Sequence, residues 1–451
     1  MTKPDTHIAP IGASAPVDQG ALLEEPARPQ ISKPTEMSHV DRLNFRRLII
    51  HHIAIRTGWI FKTESVVIPA VLDLIGGSAW LRGWLPTMSR LGQSIPPLFV
   101  ANTIRCAPLK KRILAVTSML MGFSMLGISL LWLFSGGVGQ WLALSFLFLY
   151  TFFFACTGTN QVVLGTLQSK LVYVNRRGRL MLFANVMSTI VSLSVAWLLL
   201  RHWFSPESIN VVAIFFASGL FFLVGGTVAH LLIEPADSNG TTSGNRGNLM
   251  RQAWTTVRKN RQFRLLAIVT SLFGMTLTLF PHYQALALQR LNLDLTYLIP
   301  WLIAQNIGVG VFSVPVGSLA DRLGNLWALR ILMLLAASIP LLALLVASLG
   351  PQGQNWFTLV YLLLGLTPIT MRITNNYALE LAVPEEQPIH LSTLGIFLAA
   401  GPIVAGPLIG ILIDVFGFEL AFGSVAVLLL LGFGLTLFML EPRSLDIEAS
   451  A

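Results

Sequence analysis

ILAVTSMLMGFSMLGISLLWLFSGGVGQWLALSFLFLYTFFFACTGTNQVVLGTLQS, residues 113–169, holds 57 positions without one Asp, Glu, Lys or Arg. A helix crosses the hydrocarbon of a bilayer with roughly 20 apolar residues, and a charge-free run of about 18 is already a candidate span. The stretch is long enough for two such helices, and Ser135-Gly-Gly-Val-Gly-Gln140 breaks it near the middle. Working outward, the same criterion finds single helices in Leu180–Leu200, Ser208–Ile233, Leu265–Gln289, Leu295–Ala320, Gln387–Ile413 and Leu420–Leu440. Ile331–Met371 breaks at Gly350-Pro-Gln-Gly353 and holds two more, which makes ten. Arg47–Arg105 has room for a further two, about 48–74 and 81–103, turning at Gly76-Gly77-Ser78. Arg56, Lys62, Glu64, Asp73, Arg82 and Arg90 interrupt it. The expected fold is an all-α membrane protein with twelve transmembrane helices.

Composition agrees. Apolar residues make up 54% of the 451 and charged residues 11%, less than half the roughly 25% that coats a soluble domain. A soluble enzyme, a disordered regulator and a free nucleic-acid binder are excluded. The net charge of +9 is a topology signal. Only Arg82, Arg201 and Arg290 fall in outer segments and Arg56, Lys62 and Arg90 inside spans; the remaining Lys and Arg fall on one face, which the positive-inside rule makes cytoplasmic. An even number of spans puts both termini there, in a cell (inner) membrane. No nucleic-acid partner is needed to explain the charge. Cys106 and Cys156 are the only cysteines, too few for a disulfide framework or a Cys-rich zinc site. No metal or other cofactor is expected.

Residues 1–44 are Pro-rich and lack an apolar run, so they read as a disordered cytoplasmic tail with no cleavable signal ahead of the first span. Residues 236–264, with Asn239-Gly240-Thr-Thr-Ser-Gly244, read as a cytoplasmic linker between a six-helix bundle at 45–235 and a second at 265–442. Residues 443–451 form a short cytoplasmic tail. The halves repeat one plan: at constant spacing Trp141 answers Trp356, Asn160 answers Asn375 and Leu164 answers Leu379. Each half closes on a Glu-Pro pair, Glu234-Pro235 and Glu441-Pro442.

Gly317-Ser-Leu-Ala-Asp321-Arg322-Leu-Gly324-Asn325 resembles the G-x-x-x-D-R-x-G loop of the major facilitator superfamily. The plan of two six-helix repeats over about 45–442 is similar to that family's. In the matching first-half loop, Asn102 to Arg112, the glycine and the acid are absent and a basic cluster remains. Gly401-Pro402-Ile-Val-Ala-Gly406-Pro407-Leu-Ile-Gly410 in helix 11 resembles a glycine-proline pattern that some antiporters of the family carry in helix 5. Helix 5 here lacks it, so no antiport is inferred. The resemblance implies a secondary transporter working by alternating access about a site between the repeats. It also implies that Asp321 and Arg322, with Gly317 and Gly324, latch the inner gate, with Arg177, Arg179 or a helix N-terminus as partner; ordinary loop capping and topology charge are the alternative.

Ionisable side chains deep in a membrane are costly and mark function by default. Glu64 lies 17 residues beyond Arg47, about 25 Å past the inner charge belt at ~1.5 Å per residue. Arg90 on the next, antiparallel helix is placed to approach it. Glu64 is a candidate to titrate or pair with a cation, and Arg90 to hold an anionic group; a self-neutralising Glu64–Arg90 or Glu64–Lys62 pair is the alternative. Lys62, two residues from Glu64, is expected on another side of the helix. Arg56 is read as snorkelling to the inner face. Gln93, Asn160, Gln161, Tyr283, Gln305, Arg372 and Asn375 are further candidates for a shared polar cavity, with Asn306, His282 and Gln284 beside them. Cations outnumber Glu64, so the expected solute is small, polar and anionic or zwitterionic, with protons as a candidate coupling ion. A drug or metabolite efflux antiporter of the same superfamily and a transporter-like sensor that does not translocate are the alternatives. The chain has no Walker loop and no H-x-x-x-H, so neither ATP hydrolysis nor a lipid-modifying enzyme is expected. The working unit is expected to be a monomer in the bilayer.

Overall fold

The computed structural model describes residues 38–137, 140–236, 255–382 and 386–441. Most of the expected linker and terminal tails lies outside them. The first half consists of α1 (His39–Ile60), α2 (Val67–Ile75), α3 (Ala79–Cys106), α4 (Lys110–Ser135), α5 (Gln140–Leu171), α6 (Val174–Trp203) and α7 (Val211–His230). The second half consists of α8 (Arg261–Gly274), α9 (Thr276–Leu291), α10 (Leu298–Leu323), α11 (Asn325–Ser348), α12 (Phe357–Leu364), α13 (Leu366–Glu380), α14 (Gln387–Phe416) and α15 (Phe418–Thr436).

Ten helical stretches among the described residues are long and apolar enough to cross a membrane. They are the ten that charge-free runs identify. The exceptions are α1–α2 and α3, whose charges interrupt them. The chain enters α1 earlier than read, at His39. There Ser38 Oγ accepts from Asp41 N while the Asp41 carboxylate accepts from Ser38 N, a reciprocal cap. The Gly76-Gly77-Ser78 turn is present: Gly77 adopts φ +60°, open to glycine at no steric cost, and Ser78 Oγ caps α3 by accepting from Leu81 N.

The two Glu-Pro closures do the same structural task. Glu234 Oε2 accepts from Lys111 N at 2.7 Å, at the first turn of α4. Glu441 Oε2 accepts from Leu326 N at 3.1 Å, at the first turn of α11. In each half the chain after the last helix thus supplies an anion to the positive end of the third span. Lys111 Nζ donates to Leu232 O at 2.6 Å, and Arg330 donates to Met439 O at 3.2 Å on the corresponding strap of the second half. Within the first half, α4 runs along α7 and α3 along α5; within the second, α11 runs along α15 and α8 along α14. Between halves, α3 lies along α14, α9 touches α2 and α3, and α6 meets α10.

Candidate functional site

The first span breaks where the sequence has no glycine. Six residues, Phe61 to Val66, leave the helix between α1 and α2. Pro69 has no N–H, and its ring excludes the carbonyl four residues back, that of Ser65. The Ser65 carbonyl accepts instead from Tyr361 Oη of the other half at 3.3 Å. Ile68 N reaches back to Thr63 O at 3.1 Å, and Thr63 Oγ1 accepts from Val67 N at 3.3 Å. This unwinding corrects one expectation. Lys62 and Glu64 do not point apart, because they no longer share a regular helix; Lys62 Nζ lies 4.0 Å from Glu64 Oε1.

Lys62 is wholly buried, and its ammonium meets no hydrogen-bond acceptor. It sits 3.4 Å above the Trp59 ring and 4.0 Å from that of Phe154, a cation–π cage strengthened by desolvation. Glu64 Oε2 lies 3.9 Å from Arg90 Nη2 and accepts from Ser89 Oγ at 3.3 Å. The expected approach of Glu64 and Arg90 is therefore present, with Lys62 on the other side of the carboxylate. A polar relay runs on from there: Arg90 Nη1 donates to Gln93 Oε1 at 3.1 Å, and Gln93 Nε2 to Gln161 Oε1 at 3.0 Å.

Two side chains cross to the second half. Ser65 Oγ donates to Gln305 Oε1 at 2.6 Å, and Arg56 Nη2 to Asn306 Oδ1 at 3.1 Å. Arg56, although exposed, thus reaches the second half. A cavity of about 280 Å³ lies at this junction. Arg56, Glu64 and Arg90 supply its charge, Gln305 and Asn306 its far polar wall, and Trp59 and Phe280 apolar surface. The second-half wall is shaped by bends. α12 gives way to α13 at Gly365, where a Cβ would stand 2.6 Å from Val309 N, so only glycine lets α10 pass this close. No group of three or more His, Cys, Asp or Glu among the described residues is placed to hold a metal ion.

Other sequence candidates lie elsewhere. Asn160 is buried in the α4–α5 interface, its Nδ2 donating to Thr117 Oγ1 at 2.9 Å and Ser118 Oγ at 2.8 Å; it joins helices and does not line the cavity. Tyr283 is buried against Phe422 in the second half. Arg372 and Asn375 are exposed on α13 and are not part of the cavity wall, although Arg372 stands within electrostatic range of Arg56. Asp321 and Arg322 occupy the exposed last turn of α10, with Gly317 about one turn earlier. Gly324 has φ +95° and leads into α11. Arg177 donates to Val172 O and Ser169 O. Ser65, Ser89 and Trp59 escaped the sequence reading, because their relevance depends on the helix break.

The other end of the junction is closed. Arg82, read as an outer-loop charge, is buried and paired with Asp73, because α3 begins at Ala79 and draws it into the packed seam. Gln284 Nε2 of α9 donates to Asp73 Oδ2 at 2.9 Å. From the second half, Asp414 accepts from Ala79 N at 2.9 Å and Trp80 N at 2.8 Å. Deeper, Thr87 Oγ1 donates to Pro402 O at 2.8 Å. Gly83 and Gly406 meet backbone to backbone, and Gly410 meets Ala79 in the same way, so these two glycines of α14 serve close packing at this contact, whereas Gly401 packs on Ser271 and Met275.

Residues 288–450, which include the Gly317 to Asn325 loop, match the family model of the Major Facilitator Superfamily, and the resemblance is borne out. No curated protein matches the chain in sequence. Among solved structures, a variant of the nucleoside transporter NupG aligns with a TM-score of 0.67 at 10% identity, over 88% of this chain and 99% of that one. A POT family transporter in complex with a thioalcohol-conjugated peptide aligns at 0.65 and 12% identity, over 87% and 94%. A bacterial homolog of the human lysosomal transporter Spinster, inward-facing and unoccupied, aligns at 0.60 and 10% identity, over 90% and 98%. At these identities the likeness is one of fold. These three neighbours are described as transporters or as the homolog of one.

Proposed function

For a chain with the transporter fold of the major facilitator superfamily, we propose a secondary active transporter that moves a small anionic or zwitterionic solute by alternating access. Its twelve spans form two six-helix bundles, about 45–235 and 265–442, in a cell membrane with both termini cytoplasmic. The observation that carries the solute reading is the charge balance of the cavity. Glu64 is bracketed by Lys62 and Arg90 at 4.0 and 3.9 Å, whereas Arg56 faces the same space with the neutral Asn306. A surplus guanidinium beside amide groups suits a carboxylate or phosphate, which it binds by charge-assisted hydrogen bonds.

The closed α3–α14 seam, together with polar exposed side chains on the inner halves of α5 and α13 (Gln161, Arg372 and Asn375), supports an inward-facing state. Asp321 and Arg322, with Gly317 and Gly324, are the proposed latch of the inner gate. Protons are the proposed coupling ion, with Glu64 the carboxylate nearest the solute. The test is flux into proteoliposomes from a panel of labelled carboxylates, phosphorylated solutes, amino acids and organic cations. Arg56→Gln should raise the KM for an anionic solute about 10- to 150-fold, the loss of one charge-assisted bond of ~1.5–3 kcal/mol. Preference for cations, or an unchanged KM in Arg56→Gln, would sink the charge argument. Binding without flux would make the chain a sensor.

A further inference from the structure

The outer seam holds a second group of buried charges, remote from the cavity wall. Arg82 lies inside it with 3% of its side chain exposed, whereas the paired Asp73 is 28% exposed. Asp73 faces the outer end, because α2 ends at Ile75 in the turn to α3. Its second oxygen accepts from Gln284 of the opposite half at 2.9 Å. One carboxylate therefore neutralises a buried guanidinium and bonds across the seam. The surroundings offer Arg82 little else. Its Nη1 also donates to Gly77 O at 3.1 Å, but its Nε has no partner. The Gln284 Oε1 and both ring nitrogens of the wholly buried His282, two residues before Gln284, are unpartnered too.

We propose that Asp73 is a proton-binding site on the outer face and that its protonation opens the α3–α14 seam. This deepens the carrier reading and rests on it. When Asp73 takes a proton, Arg82 is left buried without a counter-charge, and an uncompensated buried charge is strongly unfavourable. Opening the seam hydrates it. The unpartnered Gln284 Oε1 and His282 ring act in the same direction, since buried polar groups without partners also gain from water. The link to the cavity is short. Asp73 rides on the nine-residue α2, which begins directly after Glu64, Ser65 and Val66, so the proton site lies nine residues from Glu64 on the same stretch of chain.

The groups facing Asp73 are few. α3 contributes Arg82; α9 contributes Gln284, with His282 and Tyr283 beside it. α5 also packs against α2 and carries no carboxylate or histidine, and its Tyr150 lies near Glu64 and Arg90. Asp414 on α14 is bound to the first turn of α3, and the pair Arg290–Glu419 is further out and exposed.

The test reads accessibility, not flux. In a background with Cys106 and Cys156 replaced by Ser, Thr87→Cys places a reporter beneath the seam. A membrane-impermeant maleimide is applied from outside at acid and at neutral pH. Rates are divided by those of an exposed Ser205→Cys reporter, which cancels the thiol's own pH dependence. The reporter should react slowly at neutral pH and at least about tenfold faster at acid pH, as a minor open state becomes the dominant one. Asp73→Asn should react fast at both. Asp73→Asn combined with Arg82→Gln should be slow at both, because no guanidinium is left to hydrate; this also shows that the chain still closes. His282→Gln should keep the pH response. A slow reporter in Asp73→Asn, a pH response that survives in it, or one abolished by His282→Gln would overturn the proposal. If the carrier reading alone were wrong, the seam response would persist while the proteoliposomes showed no flux.

Discussion

Gly406→Ala adds a single methyl group at a tight contact of the α3–α14 seam. A Cβ there would stand 2.5 Å from Gly83 O and 2.5 Å from Thr87 Oγ1. Carbon and oxygen approach closely at about 3.3 Å, so the helices must part by about 0.8 Å. The neighbour that must yield includes backbone, which cannot rotate away. The same displacement stretches the 2.8 Å Thr87–Pro402 bond to about 3.6 Å, beyond hydrogen-bonding distance. Overpacking of this kind costs about 1–3 kcal/mol, which moves the balance toward the proposed form with this seam open by about 5- to 150-fold. Alanine's better helix propensity is shared by both conformations and cancels between them. The assay is pulsed electron resonance between spin labels replacing Ser205 and Gln352, one in each half and both exposed. Gly406→Ala should enlarge a longer-distance population. Gly395→Ala lies on the same helix with nothing within 4 Å of its Cβ and should leave the distances unchanged. Identical distributions in wild type and Gly406→Ala, or an equal shift in Gly395→Ala, would refute the reasoning.

Other outcomes follow from the same geometry. Glu64→Gln removes the counter-ion of buried Lys62 and of Arg90 and should lower unfolding stability in detergent by about 3 kcal/mol; adding Lys62→Met should recover much of the loss. Asn160→Ala should cost about 1 kcal/mol in thermal unfolding while the KM for solute stays unchanged, since Asn160 joins α4 to α5 outside the cavity. Glu441→Ala uncaps α11 and should cost about 0.5–2 kcal/mol, and Glu234→Ala should cost a similar amount at α4, both read by thermal melts.

The ten apolar spans were legible because a lipid-facing helix must be apolar over its whole length, and Leu180–Leu200 or Ile331–Met371 admit little else. Charge placement foretold the approach of Glu64 and Arg90 beside the cavity for a similar reason: such residues are expensive in hydrocarbon. What the sequence hid is register and backbone. Phe61-Lys62-Thr63-Glu64-Ser65-Val66 contains neither Gly nor Pro, and the break is imposed from Pro69, three residues further on. Helical spacing therefore separated Lys62 from Glu64 when unwinding joins them. Asn160 and Tyr283 were polar at the expected depth but turned toward helix contacts, which depth alone cannot reveal. Arg82 was misread because a charge beside a turn looks solvated until its partner, Asp73, is seen nine residues earlier across that turn.

The matched anchors Glu234 and Glu441 have a mechanical meaning. Each clasps the chain leaving a half onto the start of that half's third span, so each set of helices is a closed loop of contacts. Strain arising at the junction then has nowhere to relax inside either block and is delivered to the boundary between them. Pulled apart by force or worn down by a protease, the molecule should yield in two steps, one per clasped block.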